Sequence, residues 1–261
     1  MEGSALLVAS WNVNSIRARL ERVTAWLDRQ RPDVLCLQET KVTDEAFPAE
    51  TFGAFGYEST VFGQKSYNGV AILSRLPVEG VTRGMDDSEE DSSARLLGGN
   101  VGGARIYSVY VPNGQVVGSE AWEFKLRWLA RLKSYLLLHH RPDERVVLCG
   151  DFNIAPEERD VYNPQFWKST VLFHPIVREA LTDLSSFGLV DTFRLHNEAG
   201  GLYSWWDYRA MAFPRNLGLR IDLMLATRGL APQCSAASID REARKGTGAS
   251  DHAPILARFE L

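Results

Sequence analysis

"ALLVASWNVNSIRARLERVTAWLDRQRPDVLCLQET", residues 5–40, is the stretch that decides the fold class of this chain. Its first apolar run is short and ends at Asn12, a pattern that is typical of a buried strand. Apolar residues at helical spacing follow, with Ser15 as a cap at the start and Pro32 as a stop. A second apolar run then ends at Glu39. The order strand, helix, strand predicts two parallel strands that are neighbours in one sheet.

The rest of the chain continues with short strands and amphipathic helices. Between residues 57 and 111, strand-like runs alternate with turn residues, which predicts antiparallel hairpins. A long helix with an apolar stripe from Trp122 to Leu136 precedes the strand "RVVLCGDFN", and a further helix is expected over about 175–187. The strands "RIDLMLAT" and "APILARFEL" follow. Because no Pro-, Gly- or Ser-rich linker divides the chain, we expect one domain over residues 1–261, with mixed sheets and helices outside them.

Two of the predicted strands end in similar polar motifs, "SWNVN" and "GDFNI". In an extended chain Asn12 and Asn14 share one face, and so do Asp151 and Asn153. This repetition favours two sheets that pack face to face and whose strands end at the same rim. Chance similarity is the alternative, because Asn and Asp commonly end strands.

The composition indicates a globular protein without an export signal. Hydrophobic residues make up 45% of the chain, and no apolar run is long enough for a membrane helix. The three cysteines lack CxxC spacing and are expected to be reduced core residues. We therefore expect a cytoplasmic monomer, associated with the nucleoid if it is bacterial, with no membrane partner.

The net charge of −4 argues against general binding of nucleic acid, but one acidic run dominates it. Without the five acids of "DDSEED", residues 86–91, the net charge changes from −4 to +1. The remainder can therefore carry a local basic face, although an ordinary solvated surface explains the charge equally well.

Several apolar strands begin or end with unusual polar side chains. They are Asn12, Glu39, Tyr110, the pair Asp151 and Asn153, and the pair Asp251 and His252. Asp222 lies inside the apolar run "RIDLML", where an unpaired carboxylate would be costly. His252 is the candidate partner, because it also begins a strand beside an acid. Each residue alone has an ordinary structural explanation, and only their number and type together point to a function.

The residue types favour phosphodiester hydrolysis with a hard divalent cation. Carboxylates such as Glu39 and Asp251, without Cys/His spacing, suit Mg²⁺ or Mn²⁺ rather than zinc. Hydrolysis needs a group that takes or orients the proton of water, a cation near the phosphate oxygens, and hydrogen-bond donors. Asp151 would take the proton of the attacking water, and Asn153 would orient the water. Tyr110, Asn113 and His252 would face the phosphate, and Asp222 would hold His252 in place.

Eight motifs together resemble one known family. In order and spacing, the exonuclease III family of apurinic/apyrimidinic endonucleases is matched by "SWNVNSIRAR", "LQETK", "YNGVAILSR", "YVPNG", "GDFNIAP", "SWWDYR", "GLRIDLML" and "SDHAPI". The resemblance runs from about Ala5 to the C-terminus. It implies a DNase I-like, four-layered α/β sandwich with two mixed sheets face to face and helices outside. It also implies a Mg²⁺-dependent hydrolase that cuts double-stranded DNA 5′ to abasic sites and trims 3′ ends, with 3′→5′ exonuclease activity.

The resemblance also implies roles for the residues matched to each motif. Glu39 would be the chief metal ligand, in an environment completed by Asn12, Asn14, Asp151, Asn153 and Asp251. The groups acting at the scissile phosphate would be Tyr110, Asn113, Asp151, Asn153, Asp222 and His252. Whether Asp151 or another group takes the proton from water stays open at this stage.

The segment "YSWWDYRAMAFPRNLGLRIDL", residues 203–223, would recognise the abasic nucleotide. Its aromatics would enclose a base-less sugar turned out of the duplex. Trp205 is chosen for this pocket, with Leu219 and Ile221 as an apolar wall, because neighbouring Trp206 would point to the opposite face. The cations expected to contact DNA phosphates are Lys125, Arg209 and Arg215.

Two other functions are compatible with the fold. A related phosphodiesterase or phosphatase could act on phosphoinositides or sphingomyelin, but "SWWDYR" and the missing export signal argue against it. A nucleic-acid-binding regulator with an inactive site is the second, and it is disfavoured because every catalytic position is filled.

Overall fold

Two six-stranded mixed sheets pack face to face in the computed structural model, which describes residues 5–87, 89, 91 and 93–261. In spatial order the first sheet contains β11 (Cys234–Ile239), β12 (Ile255–Glu260), β1 (Ala5–Asn12), β2 (Val34–Gln38), β4 (Val70–Ser74) and β3 (Glu58–Phe62). The second contains β5 (Glu79–Arg83), β6 (Leu96–Val101), β7 (Ala104–Tyr110), β8 (Val146–Asp151), β10 (Asp222–Thr227) and β9 (Leu189–Asp191).

Helices α1 (Ile16–Gln30), α3 (Glu120–His139) and α5 (Pro175–Ser185) cover the outer faces of the two sheets. The shorter helices are α2 (Ala49–Gly53), α4 (Pro164–Trp167) and α6 (Thr192–His196), and α6 contacts β11 of the first sheet and β10 of the second. None of the helices in the described part of the chain is long and apolar enough to cross a membrane. The predicted four-layered α/β sandwich is confirmed.

The β1–α1–β2 unit forms as the opening stretch predicts. β1 and β2 pair in parallel, and the Ser15 hydroxyl caps α1 by accepting from the Ala18 amide at 3.4 Å. Alternate residues of β1 face opposite sides. Trp11 packs against α1, whereas Val8 faces the second sheet. Because side chains alternate along a strand, every second residue of β1 packs in one core and the residues between them pack in another.

The interior between the sheets is apolar and contains residues from both. Val8 and Ile72 of the first sheet pack there against Ile106 and Met224 of the second. The cysteines Cys36, Cys149 and Cys234 are free and buried, as predicted. On the outer face of the second sheet, the apolar stripe of α3 joins α5 in a separate core.

Two strands of the C-terminal region begin later than the sequence pattern indicates. Asp222 is the first residue of β10, and Asp251 and His252 precede β12, which begins at Ile255. The segment before β12 is held by another loop, because the Ala253 amide donates to the Ser204 carbonyl at 2.7 Å. The acid and the imidazole therefore lie in a turn at the rim and not in a regular strand.

Candidate active site

The ends of strands from both sheets meet at one rim. The Asn12 amide nitrogen, at the end of β1, lies 2.9 Å from a carboxylate oxygen of Asp151, at the end of β8. The same nitrogen donates to Glu39, just after β2, at 2.8 Å. Asn12 thus joins two carboxylates that belong to different sheets. The repeated polar motifs of the sequence therefore mark one shared location.

The two motifs also share a local geometry. The side-chain oxygen of Asn12 accepts from the Asn14 amide at 3.0 Å, and that of Asp151 accepts from the Asn153 amide at 2.8 Å. Asn14 and Asn153 both have a left-handed backbone, with φ of 45° and 51°, and Glu39 has φ of 52°. Such conformations are uncommon for residues with a side chain and concentrate at functional sites. They turn the chain out of each strand at the rim.

A possible metal centre lies where these strand ends meet. One carboxylate oxygen each of Glu39 and Asp151 and one nitrogen of His252 lie within 4.8 Å of one another. The Asn12 oxygen already accepts from a backbone amide, so in this arrangement Asn12 orients the carboxylates. Asp251 lies outside this group of three, where it accepts from Asn14 at 3.0 Å. The chemistry of the nearest donors suits a hard cation held by carboxylates.

His252 is held between two acids. Its Nδ1 lies 2.9 and 3.1 Å from the two carboxylate oxygens of Asp222, and its Nε2 lies 3.7 Å from Asp151. Burial opposes the charged form, but the carboxylates of Asp222 and Asp151 raise the pKa of His252 to about 10. The imidazole is therefore protonated at neutral pH and can act as a hydrogen-bond donor. The predicted pairing of Asp222 with His252 is present.

Asp151 is a buried acid whose pKa is shifted in opposite directions by its surroundings. Burial raises the pKa of Asp151 to about 7, and Asp222 and Glu39 add to this, whereas His252 opposes it. Asn153 beside it is fixed through its own amide group, which donates to the Val111 carbonyl at 3.0 Å. The Asn113 amide in turn donates to the Asn153 oxygen at 3.0 Å. These contacts give the site a fixed set of amides around a carboxylate that can accept a proton.

Tyr110 lies at the end of β7, directly opposite Asp151 of the neighbouring parallel strand. The Arg95 guanidinium lies 4.7 Å from the centre of its ring. Burial, together with Glu39 and Asp151, raises the pKa of the Tyr110 phenol. The phenol is therefore protonated and can donate. It lines a cleft of about 270 Å³ with Glu39 and Asn113.

An open groove of about 450 Å³ begins on the other side of Asn113. Trp205, half-buried, lines it and donates to Asp251 at 3.0 Å, whereas Trp206 is fully buried in a separate small core. Leu219 and Ile221 are buried behind the groove, and the Leu219 amide donates to the Trp205 carbonyl at 2.9 Å. The arrangement agrees with Trp205 as the groove residue and Trp206 as the core residue.

Three cations were expected to contact DNA phosphates, and the prediction for Lys125 is wrong. Arg209 lines the groove, where it is exposed and bonded to Asp207 at 2.9 Å, and Arg215 is also exposed. Lys125 is completely buried, and its ammonium donates only to backbone carbonyls. A signal for this was present in the sequence: Lys125 lies three residues after Trp122 and four before Leu129, on the apolar face of the helix.

Sequence reasoning also missed a role for Lys41. Its ammonium lies 2.8 Å from a Glu39 oxygen and 2.6 Å from the side-chain oxygen of Asn14. Because Asn14 also contacts Asp251, Lys41 links that acid indirectly to Glu39. The signal was its place in "LQETK", two residues after the predicted metal ligand.

Comparisons with known proteins show which family and fold the chain resembles. The family model described as "Endonuclease/Exonuclease/phosphatase family" matches residues 9–252. Exodeoxyribonuclease III of Haemophilus influenzae is 35% identical, over 96% of this chain and 98% of that protein. An AP endonuclease structure from Archaeoglobus fulgidus shares 40% identity with a TM-score of 0.95, covering 98% and 100% of the two chains. A 3′ phosphatase from Neisseria, solved with a product DNA hairpin, shares 35% identity with a TM-score of 0.93 and the same coverage.

Proposed function

The chain belongs to the endonuclease/exonuclease/phosphatase family, and we propose that it cuts the DNA backbone 5′ to abasic sites. The proposal includes 3′→5′ exonuclease activity and the trimming of 3′ ends. The observation that carries it is the meeting of Glu39, Asp151 and His252 within 4.8 Å at the rim shared by the two sheets. Similarity to an exodeoxyribonuclease III and to an AP endonuclease over nearly the whole chain supports the substrate class.

Mg²⁺ is the proposed cofactor, with Mn²⁺ as a substitute. Glu39 and Asp151 would hold the ion, and Asn12, which donates to both, would keep their carboxylates in place. Carboxylate oxygens and retained water are the surroundings that Mg²⁺ prefers. When bound, the ion supplies positive charge at the phosphate oxygens.

The side chains of this site would divide the hydrolysis among them. Ionised Asp151 accepts a proton from water while Asn153 orients that water, and the water oxygen forms a new bond to phosphorus. The bond from phosphorus to the 3′ oxygen breaks, and that oxygen takes a proton from solvent water to leave as a 3′-hydroxyl. His252, as an imidazolium, donates to a phosphate oxygen as charge develops there. Its other nitrogen stays bonded to Asp222, which keeps the ring oriented.

Substrate selection would take place in the groove. Trp205 would face the base-less sugar, with Leu219 and Ile221 behind it, and an abasic nucleotide is the easiest to turn out because it has no base to unstack. Tyr110 and Asn113 would donate to the scissile phosphate. Arg209 and Arg215 would contact neighbouring phosphates, which positions the duplex without reading its sequence.

A nicking assay tests this function. The substrate is a duplex with one tetrahydrofuran residue, labelled at the 5′ end of the damaged strand, and the control is the same duplex without the lesion. With Mg²⁺ the wild-type chain should nick the damaged strand immediately 5′ to the lesion, and EDTA should stop the reaction. Damaged duplex that stays intact in Mg²⁺ would overturn the proposal.

A further inference from the structure

We propose that Lys125 is a positioning residue that holds three loops of the site in register. It would act on the reaction through Asn113 and Asn153 without touching DNA. The inference rests on the proposed function for its catalytic consequence, and on the contacts of the ammonium group for its structural basis.

The ammonium of Lys125 donates to one carbonyl in each of three separate segments. The acceptors are the carbonyls of Asn113 at 3.0 Å, Asn153 at 2.7 Å and Val171 at 2.8 Å. Asn113 follows β7, Asn153 follows β8, and Val171 lies in the loop between α4 and α5. An ammonium has three N–H donors, so this set of acceptors uses all of them. One side chain of α3 therefore ties together three loops that are far apart in sequence.

This bonding is unusual because Lys125 is completely buried and its three hydrogen-bond partners are uncharged backbone carbonyls. Burial lowers the pKa of Lys125 to about 7, so the charged form depends on its surroundings. Three carbonyls that lie close and accept from the nitrogen favour that form. Gly114 shows how closely the loop packs here, since a Cβ on it would lie 3.0 Å from the Lys125 side chain. A tight, fully bonded ammonium of this kind fixes the loops that surround it.

Those loops carry the groups that face the substrate. On the side away from Lys125, the Asn113 amide donates to the Asn153 side-chain oxygen at 3.0 Å. The two asparagines are thus joined twice, once through their side chains and once through Lys125. Val171 lines the same groove as Trp205. Loss of the ammonium should therefore shift the phosphate-facing amides relative to Asp151.

The kinetic test compares Lys125→Met with Lys133→Met. Lys133 lies on the same helix, but it is partly exposed and bonds to Asp183, so its loss is a matched control. On the tetrahydrofuran duplex Lys125→Met should lower kcat by about 100-fold, because small misplacement of reacting groups has costs of that size. KM and the salt dependence of DNA binding should stay near wild type, since no phosphate contact is lost. Lys133→Met should match wild type in kcat, in KM and in the salt dependence of DNA binding.

Amide hydrogen exchange gives a readout that does not depend on the substrate. The Ala155 amide donates to the Leu172 carbonyl at 2.8 Å, between two of the tied loops. It should exchange faster in Lys125→Met and at the wild-type rate in Lys133→Met. Unchanged exchange there, or unchanged kcat in a folded Lys125→Met protein, overturns the positioning role.

Lys125→Gln covers the case in which the methionine variant fails to fold, because its amide retains two donors. It should fold with a kcat between those of wild type and Lys125→Met; a Gln variant with full activity also overturns the role. A weaker salt dependence of DNA binding in either variant would instead mean that Lys125 contacts phosphate. If wild type nicks the damaged duplex and only the Lys125 predictions fail, the proposed function stands. If wild type fails to nick, the proposed function falls while the exchange experiment still decides the role of Lys125 as a tie between loops.

Discussion

The rim where the two sheets meet and the open groove beside it are built in opposite ways. At the rim Asp151, Asp222 and His252 are 1%, 2% and 4% exposed, and each is fixed by side-chain or backbone partners. In the groove Arg209 and Val116 are exposed, and most of the lining comes from loops. The difference indicates that the chemistry needs a buried and fixed set of charges, whereas recognition of a bulky duplex needs accessible side chains.

The largest effect should come from the rim. Asp151→Asn keeps the shape of the side chain but removes the group that accepts a proton, so kcat should fall by about 1,000-fold. The dissociation constant for the damaged duplex should stay within about threefold, because the variant retains the groove. Both quantities can be measured with the same tetrahydrofuran duplex. Weakened binding with unchanged turnover would move Asp151 from the chemistry to recognition.

Glu39→Ala should change the requirement for metal. We expect the Mg²⁺ concentration for half-maximal activity to rise at least about tenfold, because loss of a ligand costs at least as much as loss of an outer partner. Glu123→Ala, an exposed acid of α3, is the control and should leave the titration unchanged. A wild-type titration in the Glu39 variant would remove this residue from the metal site.

The dependence on pH should reflect the buried acid at the rim. Because burial raises the pKa of Asp151 to about 7 and the residue must be ionised to accept a proton, kcat/KM should fall below that pH at limiting Mg²⁺. More Mg²⁺ should shift this fall in kcat/KM to lower pH, since a bound cation favours the ionised carboxylate. A profile measured between about pH 5.5 and pH 8 that is flat at low metal would contradict this ionisation.

The smallest effect should come from the groove. Arg209→Ala should reduce the slope of log binding constant against log salt by about one and weaken binding equally for damaged and undamaged duplexes. Turnover at saturating substrate should hardly change. A variant that binds with the wild-type salt slope but loses kcat would break the proposed division between rim and groove.

The rim could be predicted well from the sequence because it is made of strand ends. Apolar runs locate the strands, and the pleat then places Asn12 and Asp151 at their ends without further information. The pair of Asp222 and His252 followed from the need of a buried carboxylate for a partner. The comparisons confirmed the family and the fold class; the roles of individual residues stay predictions.

Lys125 could not be assigned correctly from residue type alone. Its partners are backbone carbonyls on three loops. Because every residue has a backbone carbonyl, no pattern of side chains in the sequence predicts which ones are the partners. The bounds of β10 and β12 were also misjudged, because the hydrogen bonds that hold the segment before β12 come from a distant loop.

The central claim is that strand ends of two sheets act as one catalytic unit. The direct test is the single-turnover rate constant for nicking the tetrahydrofuran duplex by Asp151→Asn, by His252→Ala and by the double variant. Residues that act as a unit are strongly non-additive, so the double variant should lose little more than the worse single variant. Losses that multiply in the double variant would show that the two residues act independently and would contradict the claim.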